Sequence, residues 1–187
     1  MNACSSLPDG YTELMNVDLQ NDTKTAGKVN GLALAVAVLL LIPGHLIVPL
    51  TEAWELLRLR HCAVLVVGVL LYLVLHELIH GVFMRHYSGQ RPFYGFTGMY
   101  AYAGSNCYFG HTAYTVIALA PIVLLGIALL LLNLFGGREW FWCIYFIQIT
   151  NLSGAAGDLY VTRMFSRLPP DILILDVGVR MTVYSKS

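Results

Sequence analysis

Charge is what this sequence has least of. Asp, Glu, Lys and Arg make up 12% of its 187 residues, about half of what a soluble domain carries. That deficit argues against an ordinary water-facing fold and leaves the lipid bilayer as the solvent. The charges cancel to a formal net charge of +0, and the absence of any basic run or basic-aromatic interleaving argues against nucleic acid as a partner. Cysteine is sparse as well. Cys4, Cys62, Cys107 and Cys143 form no CxxC pair, which rules out a zinc finger by spacing and speaks against a disulfide framework. The opening lacks the basic start of a cleaved signal peptide. Residues 1–30, with Asp9, Glu13, Asp18 and Asp22 against Lys24 and Lys28, read as a polar cytoplasmic tail ahead of a single domain over 31–187.

Apolar residues are what the chain has in excess, at 57% with a mean hydropathy of +0.67. They gather in four runs, 31–50, 62–84, 112–135 and 140–160, each close to the roughly 20 residues that cross a hydrocarbon core. Pro43-Gly44 predicts a kink in the first run, and Trp54, Trp140 and Trp142 stand at run edges, where indole rings favour the interface. If the four runs alternate across the membrane, one side holds Lys24, Lys28, Arg85, Arg91, Arg163, Arg167, Arg180 and Lys186. The other holds only Arg58, Arg60 and Arg138. The positive-inside bias then puts both termini and the 85–111 loop in the cytoplasm of a multi-pass cell-membrane protein.

Between the runs, TEAWELLRLRH at 51–61 reads as a short interfacial helix. Tyr94, Phe96, Tyr100 and Tyr102 recur at even spacing, the period of a strand. They predict a short hairpin dipping towards the membrane, with an open edge that an extended peptide could pair with; an aromatic interfacial loop is the alternative. After Pro169-Pro170 the β-branched ILILDVGVRMTVY is too short to span and reads as a cytoplasmic strand or an extended arm packed on the core. The expected fold class is therefore an all-α polytopic membrane protein: four transmembrane helices, a hairpin-like cytoplasmic loop and a C-terminal arm.

His76-Glu77-Leu78-Ile79-His80 is the centre of the functional reading. Helical positions i and i+4 share a face, so both imidazoles can hold one metal ion while Glu77 stands beside them as a base. With 6 His in the chain, composition alone yields this pattern in roughly one of two hundred such sequences. Residues 62–75 carry no charge, and three ionisable groups then crowd one turn. Such groups in a membrane segment cost about 2.5–3.5 kcal/mol each on insertion scales and mark function by default. The bland alternative is a polar cluster that knits helices together.

Zinc of this type needs a third protein ligand and an open fourth position. Asp158, in NLSGAAGDLY, fits best, because the second and fourth runs point the same way and Ser153, Gly154, Ala155, Ala156 and Gly157 allow close helix approach. Unwinding at Gly154 or Gly157 would bring it to depth. Otherwise Asp158 simply ends a helix. His86 is a rival at the spacing of HExxHxxGxxH enzymes, but Phe83 stands where that motif turns on glycine. His111, Asn106 and Asn151 are candidates for contacting substrate or its oxyanion. His45 reads as a local structural residue.

Taken together, LHELIHGVFMR, the aromatic-glycine loop, ALAP at 118–121, NLSGAAGDLY and LPPDILILDVG resemble a bacterial domain-of-unknown-function family catalogued as zincin peptidases, over about residues 60–180. That family is similar to site-2 proteases, whose HExxH helix and a later aspartate hold an intramembrane zinc. The resemblance implies a site-2-protease-like core. It departs from the site-2 pattern in that Asn151 precedes Asp158 by seven positions, Gly154 replaces a proline, and Leu159 replaces a glycine.

The expectation is an intramembrane zinc metalloendopeptidase holding one Zn2+ per chain through His76, His80 and Asp158. Glu77 would serve as general base and the substrate would be a membrane protein or peptide. A zinc-stabilised, non-catalytic scaffold is the alternative, although a purely structural site needs no base. A metal transporter would want further carboxylates in the first and third runs, which hold none.

Overall fold

A computed structural model describes residues 2–18, 20–98 and 100–186. Three helices are long and apolar enough to cross a membrane: α1 (Thr23–Ile47), α2 (Leu59–Ser88) and α3 (His111–Phe135). Asp22 starts α1 by accepting the Lys24 and Thr25 amides on its carboxylate, which satisfies two donors that the first turn leaves free. α2 stops at Gly89, whose φ of +70° closes the last turn in the left-handed region. The outward faces of all three are bare hydrocarbon, with Leu46 79%, Val67 63% and Leu130 52% exposed. Such surface is untenable in water and normal against lipid. The protein is thus mostly helical and built for a membrane.

The fourth apolar run is not one continuous helix. It is α4 (Phe141–Gly154) followed by α5 (Ala156–Phe165), with Ala155 in a non-helical conformation between them. At 1.5 Å per residue α4 alone reaches about 21 Å, short of a hydrocarbon core. α3 and α4 are joined by a 3-10 turn, Arg138–Trp140. A 3-10 helix, Leu50–Leu57, joins α1 to α2, and His45 Nδ1 accepts the amide of its first residue, Leu50, at 3.0 Å.

The all-α expectation needs correcting, because the chain also builds a sheet. Strands β1 (Ala3–Cys4), β2 (Tyr11–Asp18), β5 (Tyr108–Gly110), β6 (Leu173–Asp176) and β7 (Arg180–Lys186) form a five-stranded antiparallel sheet in the order β1-β5-β6-β7-β2. The polar opening therefore supplies a strand of eight residues, paired from Tyr11–Lys186 to Asp18–Arg180. The C-terminal arm supplies two strands. β3 (Phe93–Phe96) and β4 (Ala101–Gly104) form the separate hairpin that the even aromatic spacing predicts.

The sheet closes one end of the helical bundle. Phe109, Ile174 and Val183, all at 0% exposure, pack with Met84 of α2, Tyr114 and Ile117 of α3, and Val161 and Phe165 of α5. At the opposite end Val48, Phe141 and Trp142 form a smaller cluster, beside the ion pairs Arg58–Glu55, Arg60–Glu139 and Arg138–Glu52.

Candidate metal centre

α2 buries a stripe at i+4 spacing: Tyr72, His76, His80 and Met84. This face turns both motif histidines inward, where they are 7% and 8% exposed. α4 and α5 bring the third group. The break at Ala155, between the two glycines where unwinding is expected, places Asp158 in the first turn of α5, where the partial positive charge of a helix start favours a carboxylate. Gly154 serves the same approach, since a Cβ there would meet the Tyr72 hydroxyl at 3.1 Å.

The three donor atoms converge. His76 Nε2 lies 3.2 Å from His80 Nε2 and 3.2 Å from Asp158 Oδ2, and His80 Nε2 lies 3.5 Å from Asp158 Oδ1. Ligands at about 2.0–2.1 Å from a tetrahedral zinc are separated by roughly 3.3 Å, and the two imidazole nitrogens stand at that spacing with one carboxylate oxygen facing each of them. Among the described residues these three form a group able to hold a metal. Two imidazoles and a carboxylate are a donor set that suits zinc.

What fixes the two rings is as informative as the rings themselves. Pro121 has no amide to give to the Ile117 carbonyl four residues earlier in α3. That freed carbonyl accepts from His80 Nδ1 at 2.9 Å. His76 Nδ1 stands 3.3 Å from the Tyr72 hydroxyl, one turn back on its own helix. Both Nδ1 atoms are thereby occupied, and both Nε2 atoms are left for the shared point. Such outer partners set the tautomer and orientation of metal-binding histidines.

Glu77 lines a cavity of about 360 Å³ together with His76, His80 and Asp158. Ala101, Tyr102 and Ala103 of β4 line the same cavity, so the hairpin closes in beside the base. The remaining candidates lie elsewhere. His86 is exposed near the end of α2 with its ring edge-on to Tyr87. Asn106 is exposed. His111 opens α3 with a buried Nε2, and Asn151, at 0% exposure, donates to the Ile122 carbonyl at 3.2 Å. None of these four lines the cavity.

Tyr72, Tyr114 and Asp176 are cavity residues that the sequence reading does not name. Tyr114 and Asp176 meet on the cavity wall, with the Tyr114 hydroxyl donating to Asp176 Oδ2 at 2.8 Å. A lone carboxylate inside the apolar ILILDVG is the signal that could have found Asp176. Pro121 and Tyr72 were legible too, as a proline inside an apolar run and a tyrosine four residues ahead of His76.

No curated protein and no solved structure matches the chain significantly. The profile of a domain family described as "Putative zincin peptidase" matches residues 69–173, more than half of the sequence. The matched stretch holds the HExxH turn of α2, the Pro121 carbonyl device and Asp158. The chain therefore belongs to this zincin peptidase family, a metallopeptidase family in which zinc is the implied ion.

Proposed function

We propose that the protein is an intramembrane zinc endopeptidase that cuts a membrane protein or peptide near the cytoplasmic face. The observation that carries the reading is the convergence of His76, His80 and Asp158 on one point inside a helix built for lipid, with Glu77 on the same cavity. Zinc, when bound, supplies Lewis acidity and makes water a nucleophile near neutral pH. His76, His80 and Asp158 hold the ion, one per chain, and Glu77 takes the proton from the attacking water and returns it to the leaving amine.

In this reading α4 and α5 together make the fourth crossing and the core is of the site-2-protease kind. What supports it is the shared direction of α2 and of α4–α5 and the small-residue break ahead of Asp158. Both termini, the sheet and the 85–111 loop lie in the cytoplasm of the cell membrane, supported by the Lys and Arg asymmetry. The opposite end carries only cations already paired with Glu55, Glu139 and Glu52. The free edge of β3 offers backbone groups to an extended substrate segment.

The test is a matched pair, wild type and Glu77→Gln, purified and assayed for bound zinc and for cleavage of co-expressed membrane proteins. Glu77→Gln is expected to keep its zinc and lose hydrolysis by about 10²–10⁴-fold, as for a missing general base. Equal cellular function in the two proteins would favour the metal-stabilised scaffold instead.

A further inference from the structure

Water attacking a peptide carbonyl turns its oxygen into an oxyanion, and a positioned hydrogen-bond donor at that oxygen is among the largest contributors to such reactions. The inference here rests on the peptidase reading above. Asn106, His111 and Asn151 stand off the cavity. Two buried tyrosines line it, Tyr72 and Tyr114. The Tyr72 hydroxyl is engaged with His76 Nδ1 at 3.3 Å.

Tyr114 is placed differently. It is 3% exposed and sits three residues before Ile117, so it lies one helical turn along α3 from the carbonyl that holds His80. Its hydroxyl lies 2.8 Å from Asp176 Oδ2. Asp176, 7% exposed, is anchored on every side. Its Oδ1 accepts the Gly178 amide at 2.8 Å, and its backbone carbonyl accepts the Ser105 amide at 2.8 Å. The turn after it is tight: Gly178 has φ +99° and the Tyr102 ring occupies the space a Cβ would take. Asp176 and Tyr114 line the same cavity as His80 and Asp158.

We propose that Tyr114 is the donor to the oxyanion, with Asp176 as the positioning residue that holds and polarises its phenol. With a proton on Asp176, the carboxyl donates to the Tyr114 oxygen and the phenol O–H turns to the substrate oxygen. No covalent bond is made or broken in this step, and both protons stay on the groups that carry them. Burial pushes the Asp176 carboxyl up to about 7, which keeps a neutral acid available in the physiological range. A tyrosine and a carboxylic acid held neutral in an apolar site are known to serve together at an oxyanion, and hydrogen bonds in a chain strengthen one another in low dielectric.

The experiment compares wild type, Tyr114→Phe, Asp176→Ala, Asp176→Asn and Glu77→Gln as zinc-loaded, detergent-solubilised protein. Each is assayed on a fluorescence-quenched peptide library and for binding of a phosphinic tripeptide, whose tetrahedral anion mimics the attacked carbonyl. Tyr114→Phe should keep its zinc and its KM, lose about 10²–10³-fold in kcat, and bind the phosphinic peptide at least about tenfold more weakly. Asp176→Ala should lose kcat similarly, and Asp176→Asn, whose amide can still donate to Tyr114, should recover most of that loss. Unchanged kcat and unchanged phosphinic affinity in Tyr114→Phe, beside a Glu77-dependent wild type, would overturn the proposal and leave the peptidase reading standing. Equal losses in Asp176→Asn and Asp176→Ala would overturn the role given to Asp176. A wild type that neither binds the phosphinic peptide nor cuts in a Glu77-dependent way sinks the peptidase reading and this proposal with it.

Discussion

The bundle carries a cluster of ionisable groups at each end, built from similar separations and opposite surroundings. At one end Arg60 and Glu139 meet at 2.8 Å with both side chains about half exposed, 53% and 52%. At the other, His76 and Asp158 meet at 3.2 Å with the imidazole side chain only 9% exposed. The first pair can swap to water at little cost. In the second, with the Asp158 side chain 25% exposed, most of the water is gone, which is expensive unless an ion or further hydrogen bonds compensate. Distance alone therefore says little. What separates a surface latch from a metal centre is that both outer ring nitrogens of the buried cluster are already committed, His80 Nδ1 to the Ile117 carbonyl and His76 Nδ1 to Tyr72.

The sharpest way to break this comparison is to remove ligands. His76→Ala, His80→Ala and Asp158→Ala should each reduce bound zinc from about one per chain to near zero, since two remaining ligands cannot close a tetrahedral site. His86→Ala should keep it. Elemental analysis of the purified variants decides the matter, and retained zinc in Asp158→Ala together with lost zinc in His86→Ala would reverse the ligand assignment.

A smaller effect is expected one layer out. Pro121→Ala restores an amide that can reclaim the Ile117 carbonyl from His80. Zinc affinity should fall by about 10–100-fold, the usual range for loss of an orienting partner, with the helix content unchanged. Competition with a fluorescent zinc chelator measures this. An affinity equal to that of the wild type would mean that packing alone holds the His80 ring.

These two layers were unequally legible. His76, Glu77 and His80 announce themselves because the helix period puts chemistry on one face of an otherwise apolar run. Asp158 follows from chain direction and a stretch of small residues. The β-branched arm suggests a strand, but the sheet it joins does not follow from any local pattern, because Tyr11 pairs with Lys186 and Asp18 with Arg180. Pairing across that much chain leaves only a polar-looking strand in the sequence and a β-branched arm far away. The Tyr114–Asp176 contact, 62 residues apart, is hidden for the same reason, whereas Gly154 and Gly157 mark the break at Ala155.

Asp176 gives a third and gentler test, now in stability. An aspartate ionises near pH 4 in an unfolded chain, and burial pushes this one up to about 7 in the fold. Ionising it in the folded state is therefore unfavourable, so stability is highest below about pH 4 and falls as pH rises through the window to about 7, with no further loss above it. Asp176→Asn removes the titrating proton. Melting curves of the metal-free proteins at pH 5 and pH 8 should show the wild type losing more than the variant. Parallel curves would mean that Asp176 does not titrate in this window.

The smallest effect belongs to the exposed end. Arg60 reaches Glu139 across the gap between α2 and the 3-10 turn at Arg138–Trp140, and its guanidinium also lies over the Trp140 ring at 5.6 Å. Both partners are about half in water, so Coulomb attraction is screened and the pair contributes less than about 1 kcal/mol. Arg60→Ala should shift the melting temperature only slightly, by an amount that shrinks further as salt is raised, and should leave zinc content and affinity untouched. The comparison with Pro121→Ala is the point of the measurement. Pro121 lacks any charge and changes the metal site, whereas Arg60 carries a full charge and changes nothing there. A loss of zinc in Arg60→Ala would show that the two ends are mechanically coupled through α2, and the separation drawn between them would fail.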